Sequence, residues 1–316
     1  MQVISILDSR YPSRLRQLAD PPGLLFCQGE VSLLATLAEQ RFVVGIVGTR
    51  RATDYGLRVA AKLAGEITSH AGIVVSGLAL GIDGAAHKGA IEAVRAVNSL
   101  DRGRYVGESS SGVAVLGGGL NRLYPQRHRR LAEAMIEAGG VIVSEYHPDA
   151  SPLQVSFLER NRIVAGLSDV VLVVEAPRRS GALATASMAL EAGRDVMAIP
   201  GPIDSVVSEG TNDLIKRGAA VVTGISDIIE QNSVTMVRAR QLSRQDTAPG
   251  LTSNANPDSI LAIISHAGAA DFELLVQHTG RAPECIRSSL AQLELQGKVF
   301  VHPGGLYSLR EFVDTL

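Results

Sequence analysis

Two arginines stand side by side where a nucleotide-binding loop would use small residues. The stretch Arg41-Phe-Val-Val-Gly-Ile-Val-Gly-Thr-Arg-Arg-Ala-Thr-Asp-Tyr-Gly56 begins like a first strand and phosphate loop, then places Arg50 and Arg51 at the strand's end. Arginine stays protonated and presents a planar fork of donors, so its chemistry is to clamp anions rather than to abstract protons. Further arginines follow other apolar runs: Arg122, Arg127 and Arg129 after Val113–Leu116, Arg160 and Arg162 after Val141–Val143, Arg178 and Arg179 after Val170–Val174. Ser76-Gly77, Gly117-Gly118-Gly119 and Ser180-Gly181 also follow such runs, supplying hydroxyls, close backbone approach and helix starts. Any one surface arginine is most simply a solvated side chain; their concentration after successive strands points to a polyanion.

Other chemistries are poorly served. No GxGxxG, Walker GKS/GKT, HExxH or GxSxG occurs, and no acid ends the second strand to take a ribose. Asp83 is read as a cap of its own helix, with His87 one turn on placed to hydrogen-bond it and no third ligand for a metal. Glu175 and Asp83 are the carboxylates available as catalysts. Cys27 and Cys285 are far apart and outside any CxxC, so neither a disulfide framework nor a zinc site is expected. No cofactor and no metal are expected.

The elements that must position these groups are legible as alternating strands and helices. Apolar runs at Phe42–Val47, Gly72–Val75, Val113–Leu116, Val141–Val143, Val170–Val174 and Val196–Ile199 read as strands. Helical periods follow at Gly56–Ser69, Asp83–Val97, Arg129–Ala138, Arg162–Leu167, Ala182–Ala192 and Asn212–Arg217. Strands without polar alternation are those covered on both faces, so the fold class is α/β: a doubly wound, mostly parallel, extended Rossmann-like sheet. Ligands of such sheets sit outside the carboxyl ends of the strands, which is where the arginines fall. Ala96–Gly112 reads as a long surface loop.

Residues 231–257 are polar and aperiodic and read as a linker between a domain at 1–230 and a small one at 258–316. Beyond it, Asp258–His266, Asp271–His278 and Pro283–Gln296 read as three helices. Val299-Phe-Val-His-Pro-Gly-Gly-Leu-Tyr-Ser-Leu309 then reads as a hairpin turning at Pro303-Gly304-Gly305, the plan of a winged helix.

Composition sets the frame. With 316 residues, 46% hydrophobic and 20% charged, the chain can bury a large core. No apolar window spans a bilayer and no signal-peptide core is present, so a reducing cytoplasm is the expected setting, with no membrane partner. The net charge of −2 confines any polyanion site to a local patch. Six Phe, six Tyr and no Trp leave no long stacking platform, although Tyr55, Tyr124 and Phe157 are each able to stack one base.

Several segments together carry a resemblance: Gly48-Thr-Arg-Arg-Ala-Thr-Asp-Tyr-Gly56, Ser76-Gly-Leu-Ala-Leu-Gly-Ile-Asp83 with His87, and Gly117-Gly-Gly-Leu-Asn-Arg-Leu-Tyr-Pro125. Arg160-Asn-Arg-Ile-Val-Ala-Gly-Leu-Ser168, Glu175 with Ser180-Gly181 and Thr185-Ala186, and Pro200-Gly201 with Gly210-Thr-Asn212 follow in order. From about Tyr11-Pro12 to Ile229 the chain resembles the DNA-processing protein A family, also called Smf or DprA. The resemblance implies a DNA-binding protein, not an enzyme, that holds single-stranded DNA, loads RecA recombinase and serves homologous recombination and natural transformation. It also implies a homodimer. It assigns Arg50, Arg51 and Thr53 to a motif on the DNA backbone, with Ser76, Gly77, Arg160 and Arg162 around the same pocket. Arg122, Arg127, Ser180 and Gly181, on the same rim, complete the expected DNA-binding set. Three departures stand out: Leu80 replaces an arginine many members carry, the Ala96–Gly112 loop is long, and the function of the helical SAM-like domain that many members place first is expected to be missing. A nucleotide phosphoribohydrolase of the lysine-decarboxylase-like type is the alternative, although Ser180–Thr185 lacks that family's paired glycines and following acid. A winged-helix regulator is a third reading, with Arg287 and Ser288 for contacts.

Overall fold

The apolar runs that lack polar alternation form the centre of one sheet. The computed structural model describes residues 1–37, 42–100 and 110–231 and, beyond these, 260–261, 264, 270–279, 286–287, 289–290, 293–294, 298–301 and 306–309. The elements run β1 Gln2–Ser5, α1 Ser13–Arg16, β2 Leu24–Gly29, α2 Ser32–Thr36, β3 Val43–Val47, α3 Asp54–Ser69, β4 Ile73–Ser76, α4 Ile82–Leu100 and β5 Val113–Val115. Then follow α5 Arg129–Glu137, β6 Val141–Ser144, α6 Gln154–Glu159, α7 Asn161–Leu167, β7 Val170–Val173, α8 Gly181–Glu191, β8 Asp195–Ala198, α9 Glu209–Lys216 and β9 Ala220–Val221. The sheet order is β1-β2-β6-β5-β4-β3-β7-β8-β9, and every neighbouring pair from β6 to β9 is parallel.

The chain therefore builds outward from β3 to β6, then returns to the other side of β3 at β7. That reversal is the topological switch point, and it opens a crevice between the loops that leave β3 and β7. Successive strand residues enter opposite cores. Val43 and Val47 pack with Ile163, Leu167 and Ala186, whereas Val44 and Ile46 pack with Leu63, Ile67 and Ile82. Helices α3 and α4 lie close together because Gly89 has no side chain; a Cβ there would meet the Ala61 carbonyl oxygen at 1.9 Å.

Some boundaries differ from the sequence reading. β1, β2 and β9 have no counterpart in it. β1 and β2 form an antiparallel edge pair whose half-exposed residues lack the continuous apolar signature of the central strands. The stretch read as a loop from Ala96 is helical to Leu100, and residues 101–109 lie outside the described residues. Cys27 is buried, which pushes its thiol up to about 12; Cys285 lies outside the described residues. No described helix is long and apolar enough to cross a membrane.

The chain divides into two compact units, Met1–Ser243 and Arg244–Leu316. Apart from Gln231, the expected linker lies outside the described residues, as do the turn at 303–305 and parts of the first and third expected helices. The second unit has its own core of Ile260, Ile264, Leu275, Ile286, Leu290, Leu293 and Val299. The helix Phe272–Thr279 follows a short strand, Ala270–Asp271, which joins the hairpin of Val299–Val301 and Leu306–Leu309 as a third strand.

Candidate nucleic-acid interface

The crevice between the β3 and β7 loops has a volume of about 520 Å³. Three segments meet in it: Thr49-Arg50-Arg51 after β3, Phe157 to Asn161 across the α6–α7 junction, and Arg179-Ser180-Gly181 at the start of α8. Arg50, Arg51 and Arg179 are exposed, and none of them forms an ion pair with a described residue. The Arg51 N–H donates to the Thr49 hydroxyl at 3.2 Å, which shapes the turn after β3. Ser180 caps α8 by accepting from the Ala182 N–H at 3.2 Å, and a Cβ added to Gly181 would meet open space. The α8 N-terminus thus faces the crevice with room before it.

Arg50 does not pair with Asp54 or Glu175. Its guanidinium sits 5.1 Å from the centre of the Phe157 ring, and Phe157 is 5.5 Å from Tyr124 at an interplanar angle of 47°. Tyr124 is 52% exposed. A cation, a half-buried ring and an exposed ring thus form one row beside a recess to which Leu80 contributes. Sequence reasoning considered Tyr124 and Phe157 singly, each able to stack one base. Their row with Arg50 joins the connections that follow β3, β5 and β6, Phe157 from within α6, which no local pattern could signal.

Other expected site residues are built into the frame. Ser76 is fully buried, and its hydroxyl donates to the Ile46 carbonyl at 2.6 Å. The Gly77 N–H donates to Asp83 Oδ2 at 3.1 Å, and a Cβ on Gly77 would stand 1.9 Å from Arg160 Nη1. Arg160 is 4% exposed and donates to the Val115 carbonyl, so it reaches the crevice as a wall rather than as a free cation. Burial raises the Asp83 carboxyl and lowers the Arg160 guanidinium, and the opposite charge of each counteracts both shifts. Arg162 is turned away, bound twice by Glu145 at 3.0 and 2.7 Å and by Asp20 at 3.3 Å. Thr53 caps α3: its Oγ1 accepts from the Gly56 N–H at 3.2 Å and donates to Glu175 Oε1 at 2.5 Å. Arg122 and Arg127 are exposed but line two other grooves, so the structure does not gather them into the crevice.

The carboxylates nominated for catalysis are engaged as well. Glu175 is 3% exposed and also accepts the Thr53 N–H at 2.9 Å; Asp83 accepts from Gly77 and Ala79. His87 does not hydrogen-bond Asp83, contrary to the sequence reading. It is wholly buried, neither ring nitrogen makes a well-formed hydrogen bond with a described residue, and burial holds its pKa at about 3 with help from His128 and Arg160. Among the described residues no group of His, Cys, Asp and Glu is placed to hold a metal.

Residues 2–233 match the family model for DNA recombination-mediator protein A, and residues 244–305 match that for the DprA winged helix domain. Protein Smf of Escherichia coli is 38% identical over 311 residues, covering 95% of this chain and 75% of the relative. DNA processing protein DprA of Bacillus subtilis is 37% identical over 231 residues, covering 73% and 71%. Among solved structures, DNA processing protein A of Streptococcus pneumoniae matches with a TM-score of 0.62 at 37% identity, over 72% of this chain and 73% of that one. DNA processing protein A of Helicobacter pylori, described for its single-stranded DNA binding mode, matches with a TM-score of 0.60 at 29% identity, over 73% and 95%. A switch-point crevice walled by arginine, on a chain matched across both of its units, is that of a member of the DNA recombination-mediator protein A family.

Proposed function

We propose that this chain binds single-stranded DNA in the β3–β7 crevice and passes it to RecA recombinase during homologous recombination and natural transformation. The observation that carries the first part is the row Arg50–Phe157–Tyr124 beside the free cations Arg51 and Arg179. Guanidinium groups and the α8 N-terminus suit phosphates, while the rings suit an unstacked base, which a single strand offers and a duplex conceals. Among its described residues the larger unit has no element shaped for a major groove, so contacts to the backbone dominate and sequence preference is weak. Thr53, Ser76, Gly77 and Arg160 act here by holding the loops, and Arg162 acts through its pairing with Glu145. Family membership supports the RecA step, a homodimer as the working form and a cytoplasmic setting.

Competition between an oligonucleotide and its duplex tests the reading, with release of base or phosphate from nucleotides assayed beside it. Tighter single-strand binding without release is expected. Equal affinity for both forms, or hydrolysis, overturns it. For the RecA step, the chain should speed formation of RecA filaments on single strands, and an unchanged rate would count against it.

A further inference from the structure

The arginines that the crevice leaves out are not scattered. Arg127 and Arg130 lie across a groove of about 290 Å³ from Lys88 and Arg95 of α4, with Ile91 and Leu131 in its lining. All four cations are exposed, and none makes an ion pair with a described residue. Lys88 and Arg95 are seven residues apart on α4, so they share a face and lie about 10 Å apart along the helix axis. Glu92, between them, is the one carboxylate lining the groove among the described residues. Arg129 and Glu133 pair with each other at 3.3 Å and line the opposite groove.

The groove is tied to the crevice's aromatic row by one short stretch of chain. Tyr124, at the end of the aromatic row, is followed after Pro125 by the 3-10 turn Gln126–His128. His128 fixes that turn through the Leu78 carbonyl, 2.9 Å from its Nδ1, and packs against Gly84 at the start of α4. The same stretch of chain thus carries Tyr124 of the aromatic row and Arg127 of the groove. We propose that the α4–α5 groove is a second contact site for the same single strand, taking phosphates beyond the crevice on Lys88, Arg95, Arg127 and Arg130 while a base or sugar rests on the half-buried Leu131. The charge of the groove suits a polyanion, and the closeness of Arg127 along the chain to Tyr124 favours the strand bound at the row over a separate partner.

This inference rests on the crevice reading. Its test uses the full chain and oligothymidylates of increasing length, titrated at several salt concentrations. In the wild type, affinity and salt dependence should both rise with length past what the crevice holds. K88E/R95E, with K88Q/R95Q as the milder pair, should bind the shortest oligomers as the wild type does but lose the gain with length. The slope of log affinity against log salt on long strands should flatten by about 0.7 for each lost contact. All these residues are exposed, so far-UV dichroism and melting should be unchanged. A length gain intact in both variants overturns the second site and leaves the crevice standing. Binding of every length unaffected by R50A overturns the crevice and the groove together.

Discussion

Arg50 touches a ring and, among the described residues, no carboxylate, so its removal separates a binding role from a structural one. Arg50→Ala should weaken all oligonucleotide sequences about equally and flatten the salt slope by roughly 0.7. Melting should move little, because an exposed cation on an aromatic face contributes about 0.5–1 kcal/mol. An early-melting variant with an unchanged slope would make the residue a structural one. His87 allows a sharper measurement. Its folded pKa, about 3, lies below the unfolded value of about 6.5, so its contribution to stability is complete above pH 6.5 and is lost progressively as pH falls towards 3. Between pH 6.5 and 5 the group alone should cost roughly 2 kcal/mol. Asp83 is shifted upward and acts in the opposite sense, so the test is the difference between denaturant curves of the wild type and His87→Leu. If both curves fall equally over that interval, the imidazole is not held neutral.

At the scale of elements, the N-terminus of α3 shows how a motif residue can serve a site without touching its ligand. Thr53 caps the helix and joins it to Glu175 beyond β7, which fixes the two sides of the crevice against each other. Thr53→Ala should lower stability by about 1–2 kcal/mol, and Thr53→Ser should restore most of it, since serine caps as well. The salt slope should not change. A stable alanine variant with a flatter slope would place the hydroxyl on the phosphate instead. The element also shows the limit of sequence reading. The hydroxyl and its spacing to Gly56 are visible in the chain, but Glu175 is distant in sequence and becomes its partner only because β7 lies beside β3.

At the scale of the molecule, the second unit has its own core and its own sheet. We expect a chain ending at Ser243 to keep most of the single-strand affinity and to unfold cooperatively, because domains joined by polar segments usually share few contacts. Loss of nearly all binding on that truncation would move the site to the second unit. What the sequence by itself determined is what local pattern encodes. Uninterrupted apolar runs specify strands covered on both faces, and residues following such strands must lie at the carboxyl edge of the sheet, so Arg50, Arg51 and Ser180-Gly181 were legible as rim residues. The edge pair β1–β2 was not, because short half-exposed strands carry no such run. Tertiary structure alone decided which rim arginines stay free. Arg160 lies over Gly77, Arg162 is held by Glu145 and Asp20, and Arg50 lies open on Phe157, although all three belong to similar polar motifs. Burial and ion pairing depend on which loops the strand order brings together, and that order is set by packing across the whole sheet rather than by neighbours along the chain.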